Sequence, residues 1–336
     1  MNWSRGFTAR YYATIVDPLT WRDMDKFDIS GGTIKLSDSN LRESADIQCK
    51  TFDQNAEYWI RIFLEARQED EGSTLVPLFT GLVSVPSRNF TGLKETSSLQ
   101  CYSVLKPAED YLLPLGWNIM AGYNGPKAVY DLLTSVTPAP VRIEGDPVHI
   151  SMPIVAESGE SALSMTDYIL SVIGWRLRIN GRGEIVICPD SDEIISVYSA
   201  ENNDVIEMDV SISNNWYDCP NVFRAVNNDM IAIAKDEDPD SPFSISSRGR
   251  EIWMEENGCT LRSDETLGQY ARRRLQEEQI IIYSLSYNRR FDPDVRVSDL
   301  IGIVYPDQTI NGTFRVTSQS ISIGYGARVS EESVSV

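Results

Sequence analysis

A period of two in the hydrophobic pattern dominates both ends of the sequence and constrains its fold more than any other feature. Polar and apolar residues alternate at 47–51, and Tyr58–Leu64 is an aromatic and branched run with alternate residues on one face. This period, with these residue types, is typical of β-strands. Two more strands are predicted at Leu78–Val83 and Leu99–Leu105, and the polar segment 68–73 is predicted to be a hairpin tip.

Helical periodicity appears in the middle of the sequence. Lys127–Val136 has apolar residues at helical spacing, and Ala162–Ile173 is followed by Gly174, which suits a helix C-cap. Alternation then returns on both sides of the Asn-Gly pair at 180–181, which favours a β-hairpin. This part is therefore predicted to be a small α+β unit.

The last part of the sequence is again rich in strand patterns, with one convincing helix. Ser263 can cap a helix that carries Leu267, Tyr270, Ala271 and Leu275 on one face. The opposite face carries arginines spaced to pair with glutamates four residues later, and we expect it to meet solvent or a neighbour. Strands are predicted at Ile280–Tyr287, Leu300–Tyr305 and, after an Asn-Gly pair, Thr313–Ser318.

These patterns predict a mainly β (α+β) chain of three parts, which suits a length of 336 residues. Residues 1–106 form a first β domain and residues 107–200 an inserted α+β domain. Residues 201–336 form a second β domain with one helix at about 264–279. The first domain can also take back strands from about 205–230, which would make it discontinuous.

The charge balance excludes several functions. The chain has 30 Lys and Arg against 49 Asp and Glu, which gives a net charge of −19. This charge argues against a nucleic-acid-binding protein that holds the phosphate backbone. The single histidine, His149, excludes most zinc sites and any Ser-His-Asp site built without it. We predict that His149 is a structural residue.

Cysteine usage and the lack of targeting signals favour a protein made in the cytoplasm. No two of the five cysteines lie within four residues of each other, so zinc-ribbon and Cys-x-x-Cys motifs are excluded. No signal peptide follows Met1, and no apolar run is long enough for a membrane helix. We expect reduced and mostly buried thiols at Cys49, Cys101, Cys188, Cys219 and Cys259.

Two motifs match known sites only in part. Asp236, Asp238 and Asp240 occupy the first three ligand positions of a calcium loop, but the glycine and bidentate glutamate of such a loop are missing. Ser103 and Lys106 have the spacing of an acylating Ser-x-x-Lys pair, but its companion motifs are missing. We predict a solvated acidic loop, a coincidental Ser-Lys pair, and neither catalytic residues, cofactor nor metal.

Carbohydrate chemistry remains an alternative. Among 49 acidic residues, two can flank a sugar at the distance of a glycosidase pair, but the sequence does not select them. Tryptophans can form a platform for sugars, although aromatic residues in strands are usually core residues. The tryptophans concerned are Trp59, Trp175, Trp216 and Trp253.

Three stretches together resemble one protein family, the baseplate or tail-tip hub proteins of tailed bacteriophages and related contractile injection particles. The resemblance is a pattern of elements rather than a sharp motif, and it covers most of the chain. The stretches are Asn2–Phe7 with Val16–Asp23, Tyr102–Ala108 with Leu170–Ile187, and Val297–Ile301 with Asn311–Val316.

The resemblance implies two tail-tube-like β domains, at 1–106 and 201–336, separated by the insertion. It implies a homotrimer whose six tube-like domains form a pseudo-six-fold ring, which joins the hexameric tail tube to a three-fold spike or fibre. The implied partners are the tail tube protein, the spike, fibre or other tail-tip proteins, and the tape measure protein. DNA would pass through the channel without specific binding, the chain would reside in the virion tail, and no membrane is involved.

The acidic composition suggests an electrostatic role in such a channel. A wall rich in carboxylates repels phosphates and lets DNA pass, so we expect acids to outnumber bases on the channel wall. The acidic loop of Asp236, Glu237, Asp238 and Asp240 is expected to face the lumen or to meet Arg289 or Arg290 of a neighbour. The alternatives are a β-sandwich carbohydrate-binding or adhesin tail protein and, second, a cell-wall hydrolase.

Overall fold

The chain divides into two compact units, which are described separately. The first unit comprises Met1–Val210 and Ser286–Ser333, and the second comprises Ser211–Leu285 and Val334–Val336. The three-part division drawn from the sequence stays a prediction. The computed structural model describes residues 1–38, 41–50, 52, 56–69, 72–92, 94–199, 206–207, 209–214, 216–217, 219–227, 230–259, 265–279, 283–304 and 310–336.

Strands dominate the described residues, as the mainly β prediction requires. The strands are β1 (Thr8–Val16), β2 (Asp23–Ser37), β3 (Glu43–Cys49), β4 (Trp59–Gln68), β5 (Gly72–Thr91), β6 (Lys94–Ser103), β7 (Asn118–Ile119), β8 (Val141–Ile143), β9 (Ile154–Val155), β10 (Trp175–Ile179), β11 (Ile185–Pro189), β12 (Ile194–Ser199), β13 (Ser211–Asn214), β14 (Val222–Asn227), β15 (Met230–Lys235), β16 (Trp253–Asn257), β17 (Tyr283–Arg289), β18 (Leu300–Val304), β19 (Gly312–Ile323) and β20 (Val329–Ser335). The α-helices are α1 (Lys106–Asp110), α2 (Gly125–Val136), α3 (Ala162–Ile173), α4 (Ile245–Arg248) and α5 (Leu267–Glu278).

Six strands of the first unit form a closed antiparallel barrel in the order β1-β4-β5-β6-β3-β2, with β2 pairing back to β1. The long strand β2 makes closure possible, because its first half pairs with β1 while its second half pairs with both β3 and β19. Alternation fills the interior as predicted: Ile47 and Cys49 are 1% exposed, while Asp46 and Gln48 face solvent.

Strand β4 departs from the predicted one-sided pattern, because both of its faces are buried along its first six residues. Its even-numbered apolar residues line the barrel core, as predicted. On the other face, Trp59 packs into the core of the inserted segment, and Arg61 donates from Nη2 to the carbonyl oxygen of Arg182 at 3.0 Å. The sequence could not reveal this cover, since it comes from a distant part of the chain.

The helices of the middle segment confirm the sequence prediction. Helix α2 begins two residues earlier than expected, because Asn124 is its N-cap and accepts from the backbone N–H of Lys127 at 3.2 Å. Helix α3 has the predicted bounds, with Ser161 as N-cap and Gly174 in the left-handed region at φ 68°. The apolar faces of both helices pack into one core with β10 and β11.

The predicted hairpin of β10 and β11 forms, and side-chain hydrogen bonds of Asn180 shape its turn. The Asn180 side chain accepts from the backbone N–H groups of Arg182 and Glu184, and the positive φ lies at Gly183 rather than Gly181. Gly181 is needed for another reason, since a Cβ there would lie 1.9 Å from the carbonyl oxygen of Pro77 on β5. The hairpin tip therefore rests directly on a barrel strand.

In the second unit, a three-stranded sheet in the order β15-β14-β16 is covered on one face by α5. Strand β14, which falls within the segment 205–230, pairs with β15 and β16 inside this unit. The buried helix face is the predicted one, with Tyr270, Ala271 and Leu275 packed against residues of β14 and β15.

Helix α5 begins later than the sequence suggested. Its N-cap is Thr266, which forms a capping box with Gln269, whereas the proposed cap Ser263 lies outside the described residues. The arginines of its outer face pair with acids of the same chain: Arg273 contacts Glu265 at 2.8 Å and Glu277 at 3.0 Å. The predicted arginine–glutamate pairs therefore form, and they neutralise much of this face.

Some predicted elements fall partly outside the described residues. These are the turn within 68–73, the first residues of the strand Ile280–Tyr287 and the end of the strand Leu300–Tyr305. Among the residues that the structure describes, none of the helices combines the length and the apolar character that crossing a membrane requires.

Candidate functional site

A continuous polar surface of the first unit is the solvent side of strands β19, β2, β3, β6 and β5, which we call the hydroxyl face. Its side chains lie opposite one another in the registers of these strands, for example Ser320 with Lys35, Asp46 with Gln100, and Gln48 with Ser98. The buried residues between them point into the barrel. The face comprises Thr33, Lys35, Ser44, Asp46, Gln48, Ser87, Ser98, Gln100, Ser318, Ser320 and Ser322.

The hydroxyl face contains a depression of about 420 Å³ between β2, β3, β5 and β6. Irregularities in pairing break the register of β2 after Ile29 and of β5 after Val83, and such bulges increase the local twist. Gly32 lies in the depression at φ 147°, where a Cβ would come within 2.2 Å of the carbonyl oxygen of Asp46. A glycine at this position is therefore required for the close approach of β2 and β3.

The hydroxyl face is almost uncharged, although the chain has a net charge of −19. Its charged members are Lys35 and Asp46, which cancel, and the others are serine, threonine or glutamine. Such a surface offers short, weakly binding hydroxyls and amides instead of the arginine and lysine clusters that hold a phosphate backbone. This face was not predicted from the sequence, where the alternating serines at 318–322 are its signal.

The acidic loop lies in the second unit, and two of its carboxylates, those of Asp236 and Asp238, accept hydrogen bonds from within the loop. Asp236 accepts from the backbone N–H of Asp238 at 3.1 Å and from the Ser241 hydroxyl at 2.6 Å, and Asp238 accepts from the backbone N–H of Asp240 at 2.9 Å. The spacing that resembled a calcium loop thus builds consecutive turns. Glu237 is exposed, and within the described ranges no three His, Cys, Asp or Glu side chains are grouped to hold a metal.

Arg289 differs from the surface-facing residue that the sequence analysis expected, because it is only 1% exposed. Its guanidinium contacts Glu331 on β20 through Nη2 at 2.6 Å and Nε at 2.8 Å, and Glu331 is itself fully buried. Burial disfavours the charged guanidinium, but the adjacent carboxylate outweighs this and raises the pKa of Arg289. In the folded chain this guanidinium therefore faces Glu331 instead of solvent.

Arg290, next along the chain, is exposed and donates from Nη1 to the carbonyl oxygen of Ser4 at 2.6 Å. Tyr198, whose ring lies 5.7 Å from the Arg289 guanidinium, is 2% exposed. Burial raises the pKa of its hydroxyl. Arg289 and Tyr198 are thus buried residues of the first unit, whereas Arg290 is exposed to solvent.

The remaining candidate residues do not assemble into a reactive site. Ser103 is buried at the end of β6, while Lys106 pairs with Glu109 and Asp110 of α1. His149 is exposed and forms an isolated bridge with Asn124, so it is not a core histidine.

The proposed tryptophan platform is divided by burial. Trp59 and Trp175 are each 8% exposed within the first unit, so they cannot present a flat face to a sugar. Trp216 and Trp253, in the second unit, are 39% and 48% exposed. All five cysteines were expected to be mostly buried: Cys49, Cys101, Cys188 and Cys259 are buried, and Cys219 is half-buried.

The fold is that of phage tail proteins. The chain is similar to a tail protein from Neisseria meningitidis MC58 with a TM-score of 0.69 and 12% identity, over 98% of this chain and 97% of that one. It is similar to the 43 kDa tail protein of prophage MuSo2 from Shewanella oneidensis with a TM-score of 0.68 and 14% identity, over 98% of both chains.

A third similar structure belongs to a secretion system. The E. coli c3393 protein, a component of the type VI secretion system described as similar to T4 bacteriophage tail proteins gp27 and gp5, has a TM-score of 0.54 and 9% identity, over 92% of this chain and 74% of that one. No protein-family model and no curated protein matches the sequence. The resemblance to phage tail proteins is therefore confirmed at the level of the fold.

Proposed function

We propose that the chain is a structural component of a phage tail tip or baseplate, a hub that joins the tail tube to a spike or fibre and lines the central channel. The observation that carries the proposal is the similarity to tail proteins over almost the whole chain, at TM-scores near 0.7. The closed barrel of strands within 1–106 suits a tube-like domain, and the proposed second one lies at 201–336.

The proposed assembly is a homotrimer whose partners are the tail tube protein, a spike, fibre or other tail-tip protein, and the tape measure protein. A three-fold ring needs head-to-tail contacts that close on themselves. Light scattering on the purified chain, alone and with the tail tube protein, tests this assembly. A chain that stays monomeric in both samples, and is absent from the distal end of the tail in electron micrographs, would contradict the proposal.

We further propose that the hydroxyl face is the channel wall of the first tube-like domain. In this proposal the wall of the first tube-like domain is neutral instead of acidic, because its two charged residues, Lys35 and Asp46, have opposite charges. A wall without clustered bases lets DNA phosphates pass, since each basic contact releases counterions and lengthens the time that DNA stays bound.

Arginine substitutions test the channel wall. Replacing Ser98, Gln100 and Ser320 together by arginine should slow DNA release from assembled particles by about tenfold or more at low salt, with recovery at high salt. A matched control carries three arginines at Thr8, Thr134 and Ser171, which are exposed and are not part of the hydroxyl face. Equal release rates for the two variants in fully assembled particles would remove the hydroxyl face from the channel.

A structural hub is proposed to have no enzymatic activity. The purified chain should release no product from peptidoglycan or from glycans, and it should show no saturable glycan binding. Hydrolysis that a single carboxylate substitution abolishes would favour the cell-wall hydrolase alternative. Specific glycan binding without hydrolysis would favour the adhesin alternative.

A further inference from the structure

A polar cavity of about 250 Å³ lies in the first unit, and none of its wall residues belongs to the hydroxyl face. Its wall is formed by the β2–β3 connection, by β10 and by the loop 293–299, so three distant parts of the chain meet around it. Two wall residues that are not glycine, Arg42 and Ser298, have positive φ values of 61° and 71°. The backbone is therefore held in an uncommon conformation on two sides of the cavity.

Glu43 is the unusual residue of this wall. It is 6% exposed, and its Oε2 atom is buried with no hydrogen-bond partner among the described residues. Buried carboxyl groups are normally hydrogen-bonded, because leaving one without a partner costs its full desolvation. Burial raises the pKa of Glu43 to about 8, against the smaller opposing effect of Arg296. A buried carboxyl group without a hydrogen-bond partner needs an explanation, and a ligand that binds to it would provide that partner.

Most other charges of the wall are already paired. Arg42 contacts Asp167 at 2.7 Å, and Arg178 pairs with Asp299. Asp299 also accepts from a backbone N–H, so its carboxylate is occupied. These pairs satisfy one another and leave little capacity for a ligand.

Arg296 is the counterpart of Glu43. Its side chain lines the cavity, and within the described part of the chain its guanidinium forms no hydrogen bond and no ion pair within 4.0 Å, not even with Glu43. The Nε atom of Arg178 also lacks a hydrogen-bond partner among the described residues. The wall of one cavity thus contains an unmatched carboxyl group and unmatched guanidinium donors.

We propose that this cavity binds a small dipolar molecule of the α-amino acid class, with its ammonium group on Glu43 and its carboxylate on Arg296. A ligand with one charge alone would leave either the carboxyl or the guanidinium unmatched, whereas a dipolar ligand satisfies both. Asp38 and Asp294 are exposed members of the same wall and add attraction for the ammonium group. The site is independent of the proposed function.

The test uses the full chain and the common α-amino acids, each titrated calorimetrically up to about 10 mM. At least one should bind with saturation at one site per chain. Its N-acetyl derivative, which lacks the ammonium group, and its amide, which lacks the carboxylate, should each bind about tenfold more weakly or worse. Glu43→Gln and Arg296→Gln should each weaken binding by the same factor, while Arg290→Gln, an exposed arginine outside the cavity, should leave it unchanged.

Proton release provides a second readout that a purely structural Glu43 would not give. Because the free carboxyl is mostly protonated at about pH 7, binding of an ammonium group should release about 0.9 proton per ligand, measured from the dependence of binding enthalpy on the buffer. Glu43→Gln should abolish this release. If no amino acid binds, or if the derivatives and the Arg296→Gln variant bind as tightly as the parent pair, the proposal is overturned.

Discussion

Removing the guanidinium of Arg289 should destabilise the chain strongly, because a buried carboxylate is then left without its countercharge. Glu331 is fully buried, and its oxygens accept from Arg289 at 2.6 and 2.8 Å, from Gln319 at 2.7 Å and from the Tyr287 hydroxyl. Arg289→Met keeps much of the side-chain volume but removes the countercharge. Breaking a buried ion pair from one side costs about 3–5 kcal/mol. We expect a loss of this size in the free energy of unfolding.

Urea denaturation followed by tryptophan fluorescence measures this loss. The matched control is Arg290→Met, the adjacent exposed arginine, which should cost less than about 1 kcal/mol. The double variant Arg289→Met, Glu331→Leu removes both charges and should be more stable than the sum of the two single losses by at least about 2 kcal/mol. A loss below about 1 kcal/mol for Arg289→Met would refute a buried, charge-paired guanidinium at this position.

Three further changes test other parts of the fold by denaturation. Gly181→Ala should destabilise the chain by about 1–3 kcal/mol, because the new Cβ would lie 1.9 Å from the Pro77 carbonyl oxygen. Gly268→Ala, in open space on α5, is the control and should stabilise the chain by about 0.5–1 kcal/mol. Equal effects of the two substitutions would contradict the contact at Gly181. Leu275→Ala, at a side chain 5% exposed, should cost about 2–5 kcal/mol, and a change under about 0.5 kcal/mol would show that this helix face is not buried. Burial raises the pKa of Glu43 from an ordinary value near 4.5 to about 8, so the folded state loses stability as pH rises through that interval. Glu43→Gln should therefore stabilise the chain by roughly 3–5 kcal/mol above pH 8 and by little near pH 4.5. A difference in the free energy of unfolding that does not change with pH would exclude this titration.

Local patterns determined the elements of this protein. Hydrophobic periodicity reflects which face of each element is buried, so it depends only on residues that are close in sequence. Examples are the period of two in the first hundred residues and the helical spacing at Lys127–Val136 and Ala162–Ile173. The caps followed the same logic at Ser161 and Gly174, where a side-chain acceptor and a residue tolerant of positive φ sit beside the helix ends.

The candidate sites depended on contacts between distant residues, which a local pattern cannot encode. The charges of the acidic loop are adjacent in sequence, yet Asp236 and Asp238 accept hydrogen bonds from backbone N–H groups of their own turns. Arg289 looked like a surface residue beside Arg290, and only the pairing of β17 with β20 brings it to Glu331. The hydroxyl face shows the same dependence, because Ser320 and Ser98 share a surface only through β2 and β3.

The sequence by itself determined that the chain is mainly β, where its principal helices lie, and which side chains of those elements are apolar. The tertiary structure decided that six strands close into a barrel, that a neutral face lies on its solvent side, and that Glu43 and Arg296 share one cavity. The physical reason is that hydrophobic periodicity fixes the orientation of a side chain relative to its own element. Strand register and loop packing, which are set by the whole core at once, decide which distant side chains meet.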